Sequence, residues 1–250
     1  MDNKCYVIKY MFKHAIFIPQ FNYAYFCTLK LTIMAYKAII AGASGLIGSN
    51  LLNILLQQPE YSEVLVLVRK ELPLQHKKLV QLVINFDELD KHAAAITGHA
   101  LFSCLGTTKS QTPDKTLYRK IDHDYPLQLA QLAKQNGVNQ FHLVTAIGAD
   151  KNSSMFYTRL KGELEDDIQK LGLETLHIYQ PSMLIGDRER SRFLEKVIGG
   201  IFKVVDPLLV GGLKKYRSVK GITVANAMFK KSLESATGTF IYTSDKIQTI

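Results

Sequence analysis

From residue 36 onward, short apolar runs alternate with stretches whose apolar positions recur every three or four residues. Val64-Leu65-Val66-Leu67-Val68 is the clearest run. An unbroken apolar strand suits a sheet covered on both faces. The pattern predicts strands at 37–41, 63–68, 79–84, 100–104, 140–145 and 174–179, and a late one at 239–243. Helices are predicted between them. Residues 46–57 carry Leu51, Leu52, Ile54 and Leu55. Residues 125–135 carry Leu127, Leu129, Ala130 and Leu132 and stop before Asn136-Gly137. Residues 154–171 place Phe156, Leu160, Leu164 and Ile168 four apart and stop at Gly172. Strands alternating with helices give βαβ units and a parallel sheet. The expected fold class is α/β, a Rossmann-type doubly wound parallel sheet in a single domain over 34–250. Residues 187–235 are expected to form a small C-terminal substrate-side region. No internal repeat, low-complexity tract or linker interrupts the pattern.

Residues 1–33 follow a different pattern, dense in aromatics from Tyr6 to Phe26. Lys13, His14, Pro19, Gln20, Asn22 and Lys30 interrupt every window long enough to span a bilayer. The longest clean apolar run, Ala15 to Ile18, is too short for the core of a signal peptide. No membrane span is expected. Met34 leads directly into the first strand, so 1–33 are expected to be an upstream extension with a wrongly assigned start.

Composition narrows the class. The chain has 250 residues, 47% hydrophobic and 21% charged, which excludes a mainly disordered protein. Its net charge of +9 suits nucleic acid, a membrane surface or an anionic cofactor alike. Three widely spaced cysteines make neither a disulfide framework nor a zinc cluster, and a reducing cytoplasm is the default. None of the seven histidines has metal-ligand spacing, so no metal is expected and surface or strand-end roles are. Cys104 is expected to be a small buried residue of its strand. Asp122 and Asp124 flank His123, but side chains two apart on a helix diverge. Lys214, Lys215, Arg217 and Lys220 come without a nucleic-acid-binding motif, so a solvated loop is expected and nucleic acid is not.

The informative stretch is Gly42-Ala43-Ser44-Gly45-Leu46-Ile47-Gly48, between the first strand and the first helix. Glycines there permit a tight turn, close approach of a pyrophosphate and close helix–strand packing. The helix N-terminus adds free N–H groups for the phosphates. The second strand ends in Arg69-Lys70 where an NAD-binding sheet usually has an acid. An arginine there accommodates a 2′-phosphate, so NADP(H) is favoured over NAD(H).

Tyr157 and Lys161 lie four apart on one predicted helix and share a face. A nearby ammonium and a cationic nicotinamide would favour the phenolate and lower the Tyr157 pKa. Lys161 would also hold the nicotinamide ribose. Thr145, at the preceding strand end, would orient a substrate carbonyl. The same spacing recurs at Tyr216/Lys220 and Tyr242/Lys246, but only Tyr157/Lys161 follows the fifth strand on a predicted helix.

These motifs resemble the short-chain dehydrogenase/reductase superfamily. Ser103 to Thr108, Leu143 through Tyr157 and Lys161 to Glu165, and Tyr179 to Arg188 narrow the likeness. They are similar to the atypical HIV Tat-interacting-protein-like oxidoreductases, from about residue 35 to 250. The resemblance implies a Rossmann fold binding NADPH and a Ser/Thr–Tyr–Lys site. It also implies cofactor contacts from Leu105, Gly106, Thr107, Thr108 and Pro181, with Asp87 near the adenine. Where the family often has Ser, this chain has Thr145 and Ala146. Two functions are open: a reductase acting on a small-molecule carbonyl or alcohol, and a non-catalytic NADPH-binding sensor that signals through a partner surface.

Overall fold

A computed structural model describes residues 35–186 and 206–250, all within one compact unit, Ala35–Ile250. The expected extension at 1–33, and residues 187–205 of the expected substrate-side region, lie outside the described residues. Seven parallel strands form the main sheet: β1 (Tyr36–Ala41), β2 (Tyr61–Val68), β3 (Leu79–Val83), β4 (Ala100–Ser103), β5 (Gln140–Val144), β6 (Thr175–Gln180) and, late in the chain, Gly238–Thr243. Two short strands, β7 (Leu184–Ile185) and β8 (Val219–Lys220), pair in parallel beside it, and the late strand is therefore β9. The order is β3-β2-β1-β4-β5-β6-β9. Strand order reverses between β1 and β4, and in open α/β sheets ligands bind in the crevice at that point.

Pleating sends alternate side chains to opposite faces. Ala38, Ile40, Val64, Val66 and Val68 face one core, under α1 (Leu46–Gln57) and a later helix, Gly221–Ser232. Ile39, Ala41, Leu65 and Leu67 face the other. That second core lies under the helices Tyr125–Gln135 and Phe156–Lys170. Both faces are covered, which is why the strands are apolar throughout. The first two predicted helices have the predicted bounds, and the third begins at Phe156. Just before it, the Ser153 hydroxyl takes the Met155 N–H and pairs with the Thr158 hydroxyl, holding a turn.

Three findings add to or depart from the expected pattern. First, Tyr125–Gln135 continues an earlier helix: α2 (Lys115–Arg119) runs through a π turn (Lys120–Asp124) into α3 (Tyr125–Gln135). Pro126 opens α3; it has no N–H to donate and its ring crowds the carbonyl four residues back. The wider turn, in which the Tyr125 N–H reaches the Lys120 carbonyl, accommodates it and buries Asp122 and His123. Second, Gly221–Ser232, within the expected substrate-side region, is a helix that runs across the sheet face, from Gly221 beside Leu46 to Ser232, whose hydroxyl accepts from Tyr61 Oη. With Phe156–Lys170 as α4, it is α5, and it packs beside α1 through Val224, Ala225 and Met228. A Cβ on Gly221 would sit 2.7 Å from Leu46 Cγ, so glycine is what allows the two helices this close. Third, His142 and His177 are buried mid-strand, not at the surface or at strand ends. They are register partners on β5 and β6 and stack 4.5 Å apart, in a row with Phe102 and Phe240. A short helix, α6 (Ser244–Ile247), closes the chain. Among the described residues, no helix is long and apolar enough to cross a membrane.

Candidate cofactor and active site

The glycine turn has the geometry its spacing implies. Gly42 has φ +88°, and a Cβ there would lie 2.6 Å from the Cys104 carbonyl oxygen. On Gly48 a Cβ would lie 2.2 Å from the Gly42 carbonyl oxygen. Only glycine lets the turn, the first helical turn and the end of β4 meet this closely. Gly45 caps α1 without a side-chain hydrogen bond, and the first turn of α1 carries no acid. The helix therefore presents bare N–H groups and a partial positive charge, suited to phosphate.

A cleft of about 180 Å³ opens above this turn. Of the expected cofactor residues, Gly42, Ser44, Gly45, Arg69, Leu105 and Gly106 line it. Arg69 makes no salt bridge among the described residues, so its guanidinium is available to an anion. Lys70 is exposed outside the cleft, Ile47 and Gly48 are buried in α1, and Leu46 packs on Gly186 and Gly221. Asp87 is turned to the protein: its carboxylate accepts from Lys120 Nζ at 2.9 Å and from Tyr125 Oη at 2.8 Å, and Lys120 first of all holds its pKa down. Thr108 bonds Ser110, and buried Pro181 accepts the Ile147 N–H through its carbonyl.

Sequence reasoning missed Asn85, Phe86, Ile121 and Tyr125, which also line the cleft. Asn85 and Phe86 follow β3 after one residue, Ile84, at a sheet edge where ligand contacts are expected, and that position was the available signal. Cys104 was expected inside its strand. It lies just past β4 and lines the cleft, and burial pushes its thiol up to about 12.

The loop after β4 is clamped by the α2–α3 rod. Thr107 donates its N–H to Asp122 Oδ2 at 2.8 Å and accepts Tyr118 Oη on its carbonyl at 3.2 Å. The other Asp122 oxygen lies 2.7 Å from Lys161 Nζ. Lys161 projects from α4, and Gly162 lets that helix sit against the 150–151 loop, where a Cβ would be 2.2 Å from Lys151 N. Asp122 was discounted on spacing alone; the π turn carries it inward, while Asp124 pairs with His123 and stays half exposed.

Tyr157, one turn before Lys161, keeps 43% of its surface exposed. The expected drop in its pKa is absent in the protein by itself. Burial of the phenol raises it above the ordinary tyrosine value, Lys161 lowers it in part, and Asp122 raises it. Thr145, expected to orient a substrate carbonyl, has a partner within the protein. Its hydroxyl donates to Glu165 Oε1 at 2.5 Å, so as arranged it has no proton left for a carbonyl. Gln180 donates to both Glu165 oxygens at 3.0 and 2.9 Å. Burial raises the Glu165 pKa against these bonds.

Residues 42–193 match the family described as NAD(P)H-binding. The chain belongs to that family. Protein HTATIP2 of Rattus norvegicus is 34% identical over 206 residues, covering 81% of this chain and 83% of that protein. Protein FMP52, mitochondrial, of Coccidioides immitis (strain RS) is 32% identical over 219 residues, covering 82% of this chain and 89% of that protein. The resemblance carried by the glycine turn and the Tyr157–Lys161 segment is thus borne out at the level of the family. Among solved structures, a UDP-N-acetylglucosamine 4-epimerase from Methanobrevibacter ruminantium M1 aligns with TM-score 0.62 at 13% identity, over 84% of this chain and 76% of that one. The Bordetella bronchiseptica enzyme WbmH in complex with NAD+ aligns with TM-score 0.61 at 16% identity, over 84% and 76%. At these identities the likeness concerns the fold, the Rossmann-type sheet of an NAD(P)H-binding protein.

Proposed function

We propose that this NAD(P)H-binding protein is an NADP(H)-dependent oxidoreductase acting on a small-molecule carbonyl or alcohol, with Tyr157 as acid/base. The observation that carries the reading is the half-exposed Tyr157 phenol, one helical turn from a buried Lys161 tied through Asp122 to the loop that lines the cofactor cleft. The cleft fits a dinucleotide: its glycine turn has no room for a Cβ, and the N-terminus of α1 carries neither cap nor acid. Gly42, Ser44 and Gly45 would hold the pyrophosphate, and Arg69 a 2′-phosphate. The bound nicotinamide supplies hydride chemistry. Tyr157 gives a proton to a carbonyl oxygen or takes one from an alcohol, and Lys161 fixes the electrostatics around it.

One observation favours the second reading, a non-catalytic NADPH sensor. The Thr145 hydroxyl is committed to Glu165, and Ala146 beside it has no hydroxyl, so the phenol acts without a second donor. A panel of aldehydes, ketones and quinones, followed by NADPH oxidation, separates the two. Under the reductase reading Tyr157→Phe lowers turnover by about 10²–10⁴-fold while cofactor binding survives. Full activity in that variant, or none in the wild type on any compound, would return the sensor. The cysteine count supports a reducing cytoplasm, whereas the FMP52 relatives are named mitochondrial. Fractionation of the native source decides between the two compartments.

A further inference from the structure

Lys161 does not face Tyr157 as a bare charge. Its ammonium and the Asp122 carboxylate are 2.7 Å apart, with side chains 4% and 1% exposed. Burying either ion alone would be costly, and together they satisfy one another. The second Asp122 oxygen is taken by the Thr107 N–H, so the carboxylate has fixed partners on both sides. The π turn ahead of Pro126 is what brings Asp122 to this point. Among the described residues, the charged and titratable groups facing Tyr157 are Lys161 from its own helix, Asp122 from the π turn and Tyr118 from α2. Glu165 acts on this group only from the far side of Lys161, with its oxygens engaged by Thr145 and Gln180.

We propose that Asp122 is a positioning residue. It holds Lys161 against the loop after β4 and offsets much of its charge at Tyr157, so that Tyr157 rests as a protonated phenol and the site is set for reducing a carbonyl. The assignment rests on the oxidoreductase reading above. A bare ammonium beside a phenol favours the phenolate, the form that accepts a proton from an alcohol. A compact ammonium–carboxylate pair has no net charge and leaves burial to decide, which keeps the phenol. In the reducing direction the carbonyl carbon takes the hydride of the reduced cofactor. The carbonyl oxygen takes the Tyr157 proton, the C=O π bond opens, and solvent reprotonates the phenolate left behind.

The test needs no substrate. The full chain is labelled with ¹³Cζ-tyrosine and titrated by NMR without cofactor, the Tyr157 resonance being the one lost in Tyr157→Phe. In the wild type its midpoint should lie above the free-tyrosine value of about 10. Asp122→Asn keeps an acceptor for the Thr107 N–H and leaves the Lys161 charge unbalanced, so the midpoint should fall by about one unit or more. Lys161→Gln leaves the Asp122 charge and should raise it. The double variant has neither buried charge and should return close to the wild-type value. Should Asp122→Asn alone fail to fold, Lys161→Gln against the double variant isolates the same carboxylate. An unchanged midpoint in Asp122→Asn, or identical midpoints in Lys161→Gln and the double variant, would overturn the proposal. If the midpoints move as stated while Tyr157→Phe keeps full turnover, the ion pair stands and the oxidoreductase reading falls.

Discussion

His177 lies in a site where a proton has nowhere to go. Its ring is 1% exposed and stacked between His142 and Phe240. Nδ1 is 3.0 Å from Tyr242 Oη, and Nε2 has no hydrogen-bond partner among the described residues. An imidazolium needs both N–H groups paired. Burial, and after it the Lys231 charge, push the pKa from 6.5 down to about 4. Between these values the unfolded chain binds a proton and the folded chain does not. The stability contributed is therefore present above pH 6.5 and is lost as the pH falls toward 4. At about 1.4 kcal/mol per pKa unit, this one residue removes about 3 kcal/mol across the window. That is a large share of the roughly 5–15 kcal/mol that holds a typical domain. His142 shifts in the same direction, through its own burial and then the His177 charge, so the wild-type loss includes a second contribution. His177→Phe keeps an aromatic ring in the row and removes the titration. At neutral pH the variant should be less stable by about 1 kcal/mol, because Tyr242 loses its partner. On acidification it should lose about 3 kcal/mol less than the wild type, so the two curves cross. Urea unfolding followed by far-UV circular dichroism, in steps from about pH 7 to about pH 4.5, reads this directly. Parallel stability curves would refute the argument, because they would mean that His177 already binds its proton in the folded chain.

Three further outcomes follow from the cofactor side. NADPH should bind more tightly than NADH, and Arg69→Ala should remove most of that gap, about 10- to 100-fold for one charge-assisted contact, and leave NADH affinity nearly unchanged. Titration calorimetry with both cofactors checks it, and equal wild-type affinities would exclude the preference. Gly42→Ala forces a side chain onto φ +88° and against the Cys104 carbonyl. It should cost about 1–2 kcal/mol from the backbone alone and abolish the rise in melting temperature on adding NADPH. Thr145→Ala should cost about 1–2 kcal/mol of stability by removing a donor from Glu165, yet lower turnover less than about tenfold, since the hydroxyl proton is already engaged. A drop of about 100-fold or more in kcat would mean that the hydroxyl turns to the substrate.

The parts of this protein that were legible in its sequence are those set by local pattern. The strands could be placed because both faces of the sheet are covered, which makes runs such as Val64 to Val68 apolar throughout. The glycine turn was legible because two close approaches, at Gly42 and Gly48, demand glycine at spaced positions. The stacked histidines were not: His142 and His177 meet through strand register, a relation between distant residues that no local window contains. Asp122 was missed for a different reason. A spacing argument assumes 3.6 residues per turn, and the π turn ahead of Pro126 breaks that assumption at the residue that matters. The Tyr-xxx-Lys spacing shows the limit most plainly. It occurs three times, yet Tyr216 lies in a 3₁₀ segment with Lys220 on β8, and Tyr242 lies on β9 with Lys246 on α6. Only Tyr157 and Lys161 share a helix. Even there the motif names the two groups without stating the charge that Tyr157 meets, because that charge depends on a carboxylate from another helix. The chemistry of the pair is a property of three residues, and the third is supplied by tertiary structure.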